Sequence, residues 1–267
     1  MTIPIILDCD PGTDDALAIL LALASPELDV RAITVAGGNV GLDRTLTNAL
    51  ALTKLAGSDV PVHRGADRPL LGAFVNEPRV HGIDGLGGVA LPMGDPHAQG
   101  LATQEHAADA IRRIVRDSPE PVTLVGIAPV TNLALALMTE PAIAANIRDI
   151  VLMSGAWAEG NATPAAEFNA LNDPEALAVL LACGRPVVFA TLELTAQALV
   201  TPSRLEALAA CGTGECLAAA VAIQRGVPPS RRLAGSPLHD PCAIAWLLRP
   251  DLFTVRACSA RIDRAPS

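Results

Sequence analysis

The chain contains no tyrosine, a single lysine (Lys54) and few aromatic side chains, 2% of its residues. So few rings leave no stacking platform for single-stranded nucleic acid. One lysine and a formal net charge of −9 leave no polybasic patch for a phosphate backbone or an anionic membrane. No apolar stretch approaches the ~20 uninterrupted residues of a membrane span. The opening residues lack the basic start and long apolar core of a secretory signal. The six cysteines, at 9, 183, 211, 216, 242 and 258, form no Cys-x-x-Cys pair. They read as small buried hydrophobes in a reducing cytoplasm.

What the chain does have is apolar bulk. Its 267 residues are 51% hydrophobic and only 18% charged, enough for the core of one large domain spanning residues 1–267. Short apolar runs suited to buried parallel strands fall at 3–7, 30–35, 60–62, 122–127, 150–153 and 186–191. Helical patterns lie at 14–23, 45–55, 104–116, 131–138, 175–182, 203–210, 216–224 and 240–248, and a further strand is expected over 252–257. The alternation predicts an α/β fold, a mainly parallel central sheet flanked by helices, with ligands at the carboxyl ends of the strands. The irregular stretch 65–100 is long enough to suggest a functional loop.

The first strand runs straight into four carboxylates, Asp8, Asp10, Asp14 and Asp15, around the turn Pro11-Gly12. Like charges this close raise one another's pKa unless a cation neutralises them. A hard divalent ion takes six to eight oxygens, so a distant acid should complete the set. Asp240 in His239-Asp240-Pro241 is the candidate, although Asp at a helix start is also an ordinary N-cap.

The run from Asp8 to Ala16 resembles the DxDPGxDDA signature of inosine–uridine-preferring nucleoside hydrolases. Residues 33–41 with Asn39, 81–87 with His81, 126–133, 153–156, 160–175 and 239–241 are similar to further motifs of that family, in the same order. The resemblance implies a Rossmann-like fold and hydrolysis of the N-glycosidic bond of ribonucleosides, in nucleoside catabolism. It implies that Asp10, Asp15, Asp240 and the carbonyl of Ile127 hold one Ca²⁺ per subunit, and that Asp10 is the general base. Asp14, Asn39 and Asp240 would bind the ribose 2′ and 3′ hydroxyls. Met153, Asn161 and Glu167 would surround the 5′ hydroxyl, with Phe168 beside the sugar. Asn169 would sit under the ring where positive charge develops. His239 would protonate the leaving base and His81 would lie near it. Asp8 would support the loop from behind.

Purine or pyrimidine preference stays open, with a lean toward pyrimidine or mixed substrates. The loop before His239 lacks an aromatic to cover the base, leaving Trp157 and Trp246 as possible stackers. Arg231 and Arg232 read as solvated loop residues, and His63, His97 and His106 have no motif around them. The family suggests a homo-oligomer, dimer or tetramer, in the cytoplasm. The chain stops at Ser267, early for such a relative, which bears on assembly more than on the early motifs. Two rivals remain. A haloacid-dehalogenase-type phosphatase would need a lysine from the middle or later chain beside the aspartyl phosphate, and Lys54 lies on an early helix. A non-catalytic or modified-nucleoside-specific Ca²⁺-dependent ribose binder would not need Asp10, Asn169 and His239 together.

Overall fold

Strand β1 (Ile3–Cys9) is buried along nearly its whole length because helices cover both faces of its sheet. Successive side chains point to opposite faces. Ile5, Leu7 and Cys9 join one core cluster, and Ile6 joins the other. The computed structural model describes residues 2–92, 102–228 and 233–263. Within them β1, β2 (Leu28–Val35), β3 (Val62–Arg64), β4 (Ala102–Thr103), β5 (Val122–Gly126), β6 (Ile147–Met153) and β7 (Val187–Ala190) form one sheet in the order β4-β3-β2-β1-β5-β6-β7. Every pairing in it is parallel. The expected α/β architecture is therefore what the chain adopts.

The chain steps outward from β1 through β2 and β3 to β4, then returns to β1's other side with β5. That reversal is the switch point at which doubly wound sheets open a crevice at their carboxyl ends. The helices are α1 (Thr13–Ala24), α2 (Leu42–Leu55), α3 (Pro78–His81), α4 (Ala107–Asp117), α5 (Thr131–Thr139), α6 (Phe168–Asn172), α7 (Pro174–Ala182), α8 (Leu192–Thr195), α9 (Pro202–Ala210), α10 (Glu215–Gly226) and α11 (Pro241–Leu248). Helix α1 packs against α2, α10 and α11, while α5 packs against α4 and α7. A short antiparallel pair, β8 (Leu199–Val200) and β9 (Ser236–Pro237), ties the chain after α8 to the approach to α11.

Several expectations change. The strand expected over 60–62 is displaced to Val62–Arg64, since pairing with β2 begins only at Val62. The strand expected over 252–257 is absent. A 3-10 turn, Pro250–Leu252, is followed by irregular chain, and Phe253 packs edge-on against Trp246 with centroids 5.7 Å apart. Trp246 forms no part of the lining of the cavity described below. Cys9 and Cys242 are buried as expected, but Cys211 and Cys258 are exposed, so packing does not account for those two. His97, Arg231 and Arg232 lie outside the described residues.

The irregular segment after β3 is held by side chains distant in sequence. Asp173, the N-cap of α7, accepts from Ala176 N at 3.0 Å, Leu70 N at 2.9 Å and Thr131 Oγ1 at 2.6 Å. Asn172 receives Val75 N at 2.7 Å and donates back to Val75 O at 3.3 Å. Asp173→Ala should cost about 2–4 kcal/mol, a lost cap together with two orphaned donors. Urea unfolding of the variant against the parent checks this.

Candidate active site

Four strand ends supply much of the site, and α3 and the approach to α11 add His81, His239 and Asp240. Beyond β1 lies the acidic turn, beyond β2 Asn39, beyond β5 Ile127, and beyond β6 the stretch leading to Glu167 and Asn169. Asp8 is still within the sheet and faces α5. Its Oδ1 accepts from Thr34 Oγ1 at 2.7 Å and Asn132 Nδ2 at 2.8 Å. Burial pushes it up to about 6, opposed by those two bonds. Asn132 also accepts from Ala66 N at 2.8 Å, so it stitches α5 to β1 and to the segment after β3. The sequence reading gave Asn132 no such task.

The turn is built by Asp15 and Asn39. Asp15 Oδ1 accepts from Asp10 N at 3.1 Å, and Oδ2 from Gly12 N at 3.0 Å and Asn39 Nδ2 at 2.9 Å. Asn39 also donates its backbone N–H to Asp10 Oδ2 at 2.7 Å and its Nδ2 to Asp10 O at 3.1 Å. Two glycines make this fit. A Cβ on Gly38 would collide with the Asp10 carboxylate, and one on Gly12 would lie 2.5 Å from His81 Nδ1. Among the described residues Asp10 Oδ1 is buried with no hydrogen-bond partner.

Asp14, Asp15 and Asp240 each place a carboxylate oxygen within 4.8 Å of the others. Burial first, then mutual charge, pushes Asp10 and Asp240 well above the usual carboxylate range and Asp15 up to about 7. A buried cluster of this charge needs a partner cation. No lysine or arginine lines the adjoining cavity among the described residues. The orphaned Asp10 oxygen and the all-oxygen donor set fit a hard divalent ion. The structure brings Asp14 into this group, beyond the hydroxyl-binding task the sequence suggested.

The cavity, about 320 Å³, reaches the cluster through Asp14, Asn39 and Asp240. Met153, Asn161, Glu167, Phe168, Asn169, Ile127, His81 and His239 complete its predicted lining, while Asp10 and Asp15 are fully buried and form no part of its wall. Asn169 Nδ2 donates to Met153 O at 3.1 Å and more weakly to Ile127 O at 3.4 Å, which leaves Oδ1 as its free end. Glu167 caps α6, accepting from Asn169 N and Ala170 N at 2.9 Å and Gly155 N at 3.1 Å. Asn161 Oδ1 accepts from Phe168 N at 2.9 Å. The turn after Ile127 contains Val130 at φ 55°, a strained conformation for a β-branched residue.

The two histidines have different partners at Nδ1. His81 Nδ1 accepts from the backbone N–H of Thr13 at 3.1 Å. A backbone amide can only donate, so neutral His81 carries its proton on Nε2. His239 Nδ1 lies 2.8 Å from Thr195 Oγ1. Burial lowers the pKa of both rings, and the charge of Asp14 pulls each back up. His63 and His106 are structural: His63 meets Thr103 and Glu105, and His106 caps α4. Trp157 is exposed, lies under the Arg256 guanidinium at 5.6 Å, and lines a larger groove of about 750 Å³ with Phe189 and the 258–263 segment. That groove lacks the carboxylate cluster, and neither tryptophan is in the lining of the cavity beside it.

Residues 5–266 match the model of the inosine-uridine preferring nucleoside hydrolases. The chain belongs to that family. It is 46% identical over 259 residues to the pyrimidine-specific ribonucleoside hydrolase RihA of Salmonella arizonae, covering 95% of this chain and 82% of the relative. The RihA of Citrobacter koseri is 44% identical over 261 residues, with the same coverage. Among solved structures, a plant nucleoside hydrolase, PpNRh1, superposes with a TM-score of 0.84 at 34% identity, over 95% of this chain and 81% of that one. A purine-preferring ribonucleoside hydrolase from Gardnerella vaginalis gives 0.84 at 34%, over 94% and 81%. This nucleoside hydrolase is thus an N-ribosyl hydrolase enzyme, which removes the phosphatase reading.

Proposed function

We propose that the enzyme hydrolyses pyrimidine ribonucleosides to base and ribose with Ca²⁺ held by Asp10, Asp15, Asp240 and the Ile127 carbonyl. The observation that carries this is the buried carboxylate cluster without a cationic side chain, opening on a cavity that also holds two histidines. The cavity volume lies at the small end of the ~300–1,000 Å³ range of ligand pockets, in keeping with a nucleoside. When bound, the cation supplies a positive charge that acidifies the attacking water and fixes ribose hydroxyls.

The chain's own groups do the rest. Asp10, held on one oxygen by Asn39, takes the proton of the water that adds to C1′. Asp14, Asn39 and Asp240 grip the 2′ and 3′ hydroxyls. Met153, Asn161 and Glu167 form the 5′ end, and Phe168 packs beside the sugar. With its amide nitrogen tied to Met153 O, Asn169 turns its carbonyl oxygen toward the ring, where an oxocarbenium-like charge develops. His81 donates Nε2–H to the base without changing protonation state. His239 gives up a proton as the glycosidic bond breaks; burial lowers its pKa, and the charge of Asp14 opposes that shift.

The pyrimidine assignment draws on the printed specificity of both RihA relatives. We also take the chain as one domain and a cytoplasmic homo-oligomer. The exposed apolar side chains Leu71, Val75 and Ile83 support association, and the unpaired cysteines support a reducing compartment. No helix among the described residues is long and apolar enough to cross a membrane. The test is release of reducing ribose from uridine, cytidine, inosine and adenosine. Faster turnover of uridine and cytidine is expected. A purine preference overturns the base assignment, and no release from any of the four favours the binder or a modified nucleoside.

A further inference from the structure

Asn48 is a buried polar side chain in the middle of α2. Asparagine is a weak helix former, and burying its amide is costly unless the amide is bonded. Its nitrogen makes two hydrogen bonds, and both leave the helix. Nδ2 donates to Pro11 O at 3.0 Å and to Asp84 O at 2.8 Å. One acceptor is in the acidic turn before α1, the other in the chain that follows His81. None of the tasks assigned above uses this bridge.

The acidic turn has other supports. The peptide between Pro11 and Gly12 is also held at its N–H by Asp15 Oδ2, and Asn39 binds both Asp10 and Asp15. The chain after His81 has fewer. Among the described residues, the hydrogen bonds of 82–89 stay within that segment and its α3 stem, with Asn48 the exception. Gly82 N donates to Pro78 O and Gly87 N to His81 O, both at 2.9 Å, and Leu86 N donates to Asp84 Oδ1 at 3.1 Å. Gly85, at φ 83°, makes the close approach: a Cβ there would lie 2.7 Å from Asn48 Nδ2 and 3.1 Å from Pro11 O. The His81 ring meanwhile receives the Thr13 N–H at the start of α1. Thr13 and Asn48 thus grip the two ends of the stretch 81–84, one at the ring and one at the backbone.

We propose that Asn48 is a positioning residue that acts through His81. By tying Asp84 O and Pro11 O to one amide nitrogen, it fixes the His81 segment against the acidic turn and keeps the ring N–H at its place in the cavity wall. This rests on the nucleosidase reading above and on the task given there to His81. A hydrogen bond to a departing base helps only while ring and sugar keep a fixed geometry, and a misplacement of ~1 Å can cost ~10²-fold. Without the amide, the segment after His81 loses its tie to the turn, whereas the carboxylates keep theirs through Asp15 and Asn39.

The test is a double-mutant cycle on the metal-loaded enzyme, with Asn48→Ala and His81→Ala made singly and together. The readout is kcat/KM for uridine, or for inosine should the parent prefer it. Asn48→Ala should lower it about 10- to 100-fold in the parent. Where His81 is already alanine the same change should cost less than about 3-fold, the scatter of independent sites. The Tm increment on adding Ca²⁺ to chelator-treated Asn48→Ala should match the parent's. Asn48→Ser, which keeps one donor, takes the same place in the cycle should the alanine variant fold poorly. An equal fall in both backgrounds, no fall in the parent, or a lost Ca²⁺ increment overturns the assignment and leaves Asn48 a packing residue or a support of the acidic turn alone. If the parent cleaves neither nucleoside, the nucleosidase reading itself falls. If His81→Ala alone leaves turnover unchanged, the task of His81 falls, and in either case the role of Asn48 falls with it.

Discussion

Asp10→Asn should lower kcat at least ~10²-fold, the scale of a lost general base, without unfolding the protein. The amide has nearly the shape of the carboxylate, and its oxygen still accepts the Asn39 N–H that holds Asp10 Oδ2 at 2.7 Å. The substitution removes the capacity to take a proton. It also removes one negative charge from a buried cluster in which burial and Asp15 both push Asp10 well above the usual carboxylate range. Relief of that repulsion means that the metal-free variant should melt no lower than the metal-free parent. A large fall in turnover with unchanged or raised Tm is a combination that misfolding does not give. Near-parental turnover would move the base role elsewhere, with Asp14 and Asp240 as the carboxylates that line the cavity.

Asp10, Asp14 and Asp15 were legible because their placement is local. An apolar run, a Pro-Gly turn and a helix start lie within sixteen residues, and each propensity agrees with the next. Asn39 and Ile127 lie just beyond strand ends, where ligands gather, but the task of each was implied by the family resemblance. The clamps at Asn132, Asn172 and Asp173 were not legible. Their partners lie 66, 97 and 103 residues away, and Asn or Asp near a helix start reads as a cap whatever else it holds. Asp173 is both cap and clamp, and only the second role needs the structure. The expected strand at 252–257 failed for a similar reason. An apolar alternation promises a face to bury, but pairing needs a neighbouring strand, and here Phe253 finds Trp246 instead.

Removal of divalent metal should abolish turnover and lower Tm, and Ca²⁺ should restore both. Folding collects the carboxylates of Asp14, Asp15 and Asp240 that the unfolded chain keeps apart, so the ion binds the folded state preferentially. At a hundred times its Kd the ion adds about 2.7 kcal/mol, or about 5–10 °C for a chain of this size. The size of the shift should depend on pH. In the metal-free protein burial holds Asp15 at about 7, against ~3.9 for an unperturbed aspartate. Between those values the folded state binds more protons than the unfolded one, so metal-free stability is greatest at the acid end and is lost as pH rises toward 7. Asp10 and Asp240 shift in the same direction. Ca²⁺ therefore offsets a larger penalty at pH 8 than at pH 5, where it must also displace protons. The Tm increment on adding Ca²⁺ to chelator-treated enzyme should be greater at pH 8. An equal increment at both values would mean that the cluster is not what the ion neutralises. Turnover that survives chelation would leave Asp10 and His239 to activate water and leaving base without a cation.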